Sequence, residues 1–164
     1  MPDRPPARGL RVYEVETVGT WGPVPGRFRK ALAADRDLLV AWTRAFQVEI
    51  GEAADDPGRA VDERLPAGFF WLWDDGGPVS LACRSAAVAR VVRLLLVYTR
   101  RGSRRRGYGR ACVGEISTRI RAEGERCMLY ADLANPVANA LYRDLGYRAA
   151  AEALRYDFAA AADE

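Results

Sequence analysis

The sequence predicts an α/β chain, a mixed sheet with helices on its faces. Short runs alternate apolar and polar residues at a strand-like period, longer ones repeat apolar residues at helical spacing, and Gly or Asp-Pro marks their ends. A length of 164 residues with 49% hydrophobic content suits one domain that buries its own core.

Residues 1–9 are polar and Pro-rich and read as a flexible lead-in, leaving 10–164 as the domain. Leu10–Val15 alternates as a half-buried strand does. Gly19–Gly26 is loop, and Phe28–Leu32 is a second short strand. Asp35 is placed to cap a helix to about Ile50, whose Leu38, Leu39, Trp42, Ala45, Phe46 and Ile50 share one face. An acidic stretch follows (Glu49, Glu52, Asp55, Asp56), and Asp56-Pro57 opens a second helix as cap and first residue. Phe69–Trp73 and Val79–Cys83 form a hairpin around Asp75-Gly76-Gly77, and Ala87–Tyr98 is a long strand. A helix over Gly107–Glu123 closes at Gly124. Strand Cys127–Asp132, helix Pro136–Leu145 ended by Gly146, and a last strand or pair over Tyr147–Phe158 complete the order.

The composition excludes several chemistries. There is no histidine, so a Ser-His-Asp triad, a Cys-His dyad and most zinc sites are ruled out. Cys83, Cys112 and Cys127 are spaced for neither a metal nor a disulfide framework, and read as inert packing residues. No apolar run is long enough to span a membrane, and the N-terminus lacks the apolar core of a signal peptide. A reducing cytoplasm is the expected compartment.

The net charge is only +3, but Arg100, Arg101, Arg104, Arg105, Arg106 and Arg110 crowd one stretch where a strand ends and a helix begins. Free amides at a helix N-terminus, with its dipole, attract anions. Gly107 and Gly109 let backbone approach a bulky diphosphate, and arginines add charge-assisted bonds. The Gly-Lys-Ser/Thr ending of a P-loop is missing, and the glycines do not fit a dinucleotide fingerprint.

Arg104-x-x-Gly107-x-Gly109, followed by Asn135-Pro136-x-x-Asn139-x-x-Tyr142-x-x-x-Gly146-Tyr147, resembles the paired motifs of the GNAT acetyltransferases. The resemblance covers about residues 79–158, the expected cofactor half, and implies the acyl-CoA N-acyltransferase fold with a mostly antiparallel central sheet. It implies acetyl-CoA as cosubstrate, held at its pyrophosphate by the loop and helix start at Arg104, Arg105, Arg106, Gly107, Tyr108, Gly109 and Arg110. Val97 and Thr99 would pair by backbone with the pantetheine arm. Asn135 would bond that arm or cap its helix. Tyr142 would protonate the leaving thiolate, and Asn135, Asn139 and Tyr142 share one helix face, a ligand-facing stripe on which Asn139 too would contact the cofactor.

The activity so implied is acetyl transfer to a primary amine by direct attack in a ternary complex. The acceptor is a small molecule or a peptide, a homodimer is open, and Glu49, Glu52 and Asp132 are candidate bases. The chain departs from the family pattern in placing Arg100 and Arg101 where proline is frequent and Arg105 where glycine is frequent. Arg90 and Arg93 in the long strand would hinder a cationic amine, and the acidic stretch reads as solvated loop, with recruitment of such an amine as the minor alternative. Trp71 and Trp73 share a strand face and read as core, with acceptor lining as the minor alternative. The competing functions are a non-catalytic acyl-CoA-binding domain of the same fold and, less favoured, an Arg-rich nucleic-acid module, which lacks interleaved aromatics.

Overall fold

A computed structural model describes residues 7–52 and 55–156. Its elements, in chain order, are β1 (Ala7–Val15), β2 (Arg27–Lys30), α1 (Arg36–Ile50), α2 (Pro57–Arg64), β3 (Phe70–Asp74), β4 (Pro78–Arg84), β5 (Val91–Thr99), α3 (Tyr108–Ala122), β6 (Arg126–Asp132), α4 (Pro136–Asp144) and β7 (Arg148–Tyr156). Short 3₁₀ turns at Ala33–Asp35 and Arg101–Ser103 precede α1 and α3. The expected lead-in over residues 1–6 and the expected strand end at Phe158 lie outside the described residues.

The strands form one seven-stranded sheet in the order β2-β3-β4-β5-β6-β1-β7. Only the β5–β6 pair is parallel; the other neighbours are antiparallel. The first strand of the chain thus lies between its last two. Tyr13 stands opposite Leu129 of β6 on one side and Ala149 of β7 on the other. Residues 7–9, expected as lead-in, extend β1.

The sheet has a helical layer on each face. Alternation along β3 shows the division: Trp71 and Trp73 face the α3 side, Phe70 and Leu72 the α1–α2 side. The α3-side core contains Tyr13, Val92, Leu94, Ile116, Ile120, Leu129, Leu145 and Tyr147, and the other contains Leu39, Trp42, Val61, Leu81, Leu96 and Tyr98. All three cysteines are free and buried, and burial raises their thiols, Cys83 and Cys112 to about 12, as inert packing residues require.

Local chemistry sets most boundaries. Asp56 caps α2 by accepting from the Gly58 and Arg59 amides, with Pro57 at the first position. Asp35 precedes α1 but does not cap it through its side chain. Its carboxylate turns back to Arg29 (2.8 Å) and the Leu32 amide (2.8 Å) instead. The long strand starts at Val91 rather than Ala87, because Ala89 and Arg90 take left-handed backbone angles in a tight turn. Tyr147–Phe158, expected as a strand or a pair, supplies the single strand β7.

Two buried tyrosines tie the C-terminal half together. The Tyr147 hydroxyl bonds Ser117 Oγ (2.6 Å) and Cys127 Sγ (3.2 Å), and the Tyr13 hydroxyl donates to Asn139 Oδ1 (2.6 Å). Trp21, in the loop after β1, lies directly on Gly114 of α3, where a Cβ would come within 2.3 Å of the indole. Gly114→Ala is therefore expected to lower stability by about 1–3 kcal/mol, as overpacking does, in denaturant unfolding. A wild-type midpoint would mean that Trp21 does not pack there.

Candidate functional site

The site begins with a parting of strands. β5 and β6 pair from Val91–Arg126 to Leu94–Leu129 and no further. At the same level β5 carries a bulge: Arg84 of β4 pairs with Leu94 and Cys83 with Leu96, leaving Leu95 as the extra residue. The bulge shifts the alternation. Leu94 and Val97 face the α3-side core, while Leu95 and Leu96 both face the α1 side. Beyond the bulge, Arg100 donates its amide to Val79 on β4. Alternation then turns the backbone groups of Val97 and Thr99 away from β4, into the gap left by β6.

The gap leads to the arginine-rich turn. Gly107 begins α3 in the left-handed region (φ 84°), with no side chain capping the helix. Arg105, where the related motif often has glycine, is also left-handed (φ 66°). Among the described residues, no backbone bond takes up the amides of residues 105–110, so they form a concave row of donors at a helix start. Gly109 lets the helix sit close to the strand end: a Cβ there would meet Thr99 Oγ1 at 3.1 Å. Thr99 Oγ1 is itself bonded to the buried Ser80 Oγ (2.9 Å).

Most of the arginines build the turn rather than a bare basic patch. Arg104 bonds the Thr99 carbonyl (2.8 Å) and Glu49 of α1 (2.7 Å), and its guanidinium lies over Tyr98. Arg100 bonds Ser103, Arg101 approaches Glu49, and Arg110 pairs with Asp144 of α4. The Tyr108 hydroxyl donates to Asp75 in the β3–β4 turn, which pins the start of α3 to that hairpin and raises the phenol. Arg105 and Arg106 make no ion pair among the described residues and stand exposed beside the amides.

From α4, Asn135 caps the helix by accepting from the Ala138 amide (3.1 Å). Asn139 is buried, and its amide nitrogen donates to the Asp132 and Asn135 carbonyls while its oxygen accepts from Tyr13. It therefore holds α4 to β1 and β6. Tyr142 is half-buried between the rings of Tyr13 (6.1 Å) and Tyr147 (5.9 Å). Burial pushes its hydroxyl up to about 12, and that hydroxyl has no hydrogen-bond partner among the described residues.

On the opposite face, a groove of about 890 Å³ runs between α1, α2 and the parting strands, reaching Leu95, Leu96 and Tyr130. Of the candidate bases, Glu52 lines this groove, Glu49 pairs with Arg104, and Asp132 accepts from the Ala134 amide. Trp71 and Trp73 lie on the α3 side of the sheet, away from it. Sequence reading did not single out Thr43, Arg64, Ser80 or Tyr13. Tyr13 and Ser80 acquire their places from bonds distant along the chain, Thr43 and Arg64 line the groove, and no local motif marks any of them.

Residues 82–156, just under half of the chain, match a family model described as FR47-like protein. The structure is similar to a GNAT-family acetyltransferase from Colwellia psychrerythraea (TM-score 0.73, 12% identity, 93% of this chain and 57% of that one). It is also similar to a putative GNAT-family acetyltransferase from Novosphingobium aromaticivorans (TM-score 0.68, 20% identity, 93% and 67%). The fold is that of the GNAT acetyltransferases. A GNAT-family acetyltransferase from Brucella melitensis, solved in complex with acetyl-CoA, shares it as well (TM-score 0.59, 20% identity, 79% and 86%). The chain spans between about half and two thirds of the length of the first three solved GNAT-like chains it resembles. A comparison with curated proteins found no match.

The left-handed Arg105 generates a prediction. Holding a non-glycine residue there costs roughly 1–2 kcal/mol, and glycine gives back about 0.4–1 of that through the unfolded chain. Arg105→Gly is expected to raise stability by up to about 1.5 kcal/mol in denaturant unfolding. A loss of that size would mean that the Arg105 side chain makes a stabilising contact.

Proposed function

We propose that the chain transfers an acetyl group from acetyl-CoA to a primary amine, by direct attack of the amine within a ternary complex. The observation that carries this is the parting of β5 from β6 after Leu94 and Leu129, with unpaired strand edge leading to the amides of residues 105–110. An extended amide-bearing arm fits the first, and a pyrophosphate fits the second. No helix of the described residues is long and apolar enough to cross a membrane, and no three of their acidic or cysteine side chains cluster as metal ligands would.

The residues then divide the work. The amides of residues 105–110 bind the pyrophosphate, with Arg105 and Arg106 adding charge. Val97 and Thr99 offer backbone groups to the pantetheine arm. Only the Thr99 amide is available there, since Arg104 occupies the Thr99 carbonyl. Asn135 caps α4 and Asn139 ties it to β1 and β6, and the same helix carries Tyr142 between Tyr13 and Tyr147. A β5 amide at the bulge polarises the thioester carbonyl. Glu52, at the groove, takes the ammonium proton. Tyr142, neutral because its ionisation is pushed up to about 12, gives a proton to the departing thiolate. The amine nitrogen gains the acetyl carbon as the carbon–sulfur bond breaks, and the second proton it then loses restores the Tyr142 phenol.

Calorimetric titration with acetyl-CoA and steady-state turnover test this reading together. Tyr142→Phe is expected to bind acetyl-CoA within about twofold of wild type while kcat falls roughly 10²-fold or more, the range for loss of a general acid. An unchanged kcat would remove Tyr142 from the chemistry. Wild-type binding without turnover of any amine would mark a non-catalytic acyl-CoA-binding domain. No binding at millimolar acetyl-CoA would end the acyl-CoA reading.

A further inference from the structure

The groove on the α1–α2 face carries chemistry that the transfer reaction does not account for. Its inner wall holds Thr43 of α1, Arg64 of α2 and Arg93 of β5, and it opens onto the bulge residue Leu95. Thr43 is only 3% exposed, yet its Oγ1 has no hydrogen-bond partner. A buried hydroxyl left in that state loses the bonds it would make to water, so the site favours a ligand that supplies an acceptor or donor. Arg64 is half-buried, and its guanidinium makes no ion pair among the described residues. Arg93 lies over the Tyr130 ring at 4.0 Å, which orients its guanidinium on the groove floor.

The acidic residues of the same groove sit differently. Asp55, Asp56 and Glu63 are exposed at the rim; Asp56 caps α2, and Glu63 pairs with Arg59. The inner wall therefore carries Arg64, with no ion pair among the described residues, beside Arg93, and Glu52 is half-buried as the carboxylate proposed above to take the proton. A simple cationic amine would meet Arg64 and Arg93 with like charge. A molecule with an amine at one end and a carboxylate at the other satisfies both kinds of group.

We propose that the acceptor is an amine that also carries a carboxylate, of the free amino acid class, and that Arg64, Arg93 and Thr43 receive that carboxylate. The assignment rests on the acetyl-transfer reading. Its amine faces Glu52 and the thioester beside Leu95; two arginines and a hydroxyl supply charge-assisted and neutral donors to the carboxylate oxygens. The product is an N-acetyl amino acid, with free CoA leaving as thiol.

The test compares the twenty free amino acids with their carboxamides as acceptors, with acetyl-CoA saturating and calorimetry confirming that it binds. For wild type, at least one acid is expected to be acetylated with kcat/KM at least tenfold above that of its amide. In Arg64→Gln, and in the near-isosteric Thr43→Val, that acid is expected to lose at least tenfold more kcat/KM than its amide, chiefly through KM. Thermal melts establish that both variants fold. Amides turned over as well as acids, equal losses for both in the folded variants, or no acid accepted at all would each overturn the assignment while acetyl-CoA binding stands. Failure of acetyl-CoA to bind would instead bring down the transfer reading and this assignment with it.

Discussion

The departure of β5 from β6 is the constraint on which the site depends. Two parallel strands that stay paired consume each other's backbone donors and acceptors and leave nothing for a ligand. Here pairing stops at Leu94 and Leu129, and the extra residue Leu95 bends β5 there. The bulge keeps β5 attached to β4 while releasing its other edge. It also brings Leu95 and Leu96 to the same face, where they floor the groove beside α1 and α2. One irregularity thus serves both faces of the sheet: an open strand edge toward α3 and α4, and a polar groove toward α1 and α2.

Holding the strands apart requires supports on either side. On β5, Thr99 shares a hydroxyl bond with the buried Ser80 of β4, and Arg104 reaches from the turn to Thr99 and to Glu49 of α1. On β6, Asn139 bonds the Asp132 carbonyl, and Tyr13 of β1 bonds Asn139. The first strand of the chain therefore does more than extend the sheet. Lying between β6 and β7, it supplies the hydroxyl that fixes α4, and α4 carries Tyr142. The arginines of the turn act in the same sense. Arg104 and Arg110 are joined to helices on either side of the loop, so their charge shapes the turn, while no backbone bond among the described residues takes up its amides.

Features written in adjacent residues were legible in the sequence. Asp56-Pro57 announced α2, Asn135-Pro136 announced α4, Gly124 and Gly146 ended their helices, and Arg104 to Gly109 marked a strand-to-helix turn. Each depends on bonds within a few residues. Features fixed by distant contacts were not legible. The place of β1 depends on pairing with residues 127–132 and 148–156, which no pattern in residues 7–15 specifies. Asp35 resembles a cap, but Arg29 and Asp74 form a charged cluster that draws its carboxylate away. Glu49 looked like a candidate base in an acidic stretch; only the fold brings Arg104 to it. Arg93 looked like a charge in the middle of a strand; the fold sets it in the groove, over the Tyr130 ring.

The most direct test of the central claim is a backbone amide NMR titration of the full chain with CoA. The account predicts that the largest shift changes fall at residues 105–110 and at Val97 and Thr99, saturating together with one dissociation constant. Changes confined to the α1–α2 groove, or none at saturating CoA, would contradict the assignment of the strand gap and helix start as the acyl-CoA site.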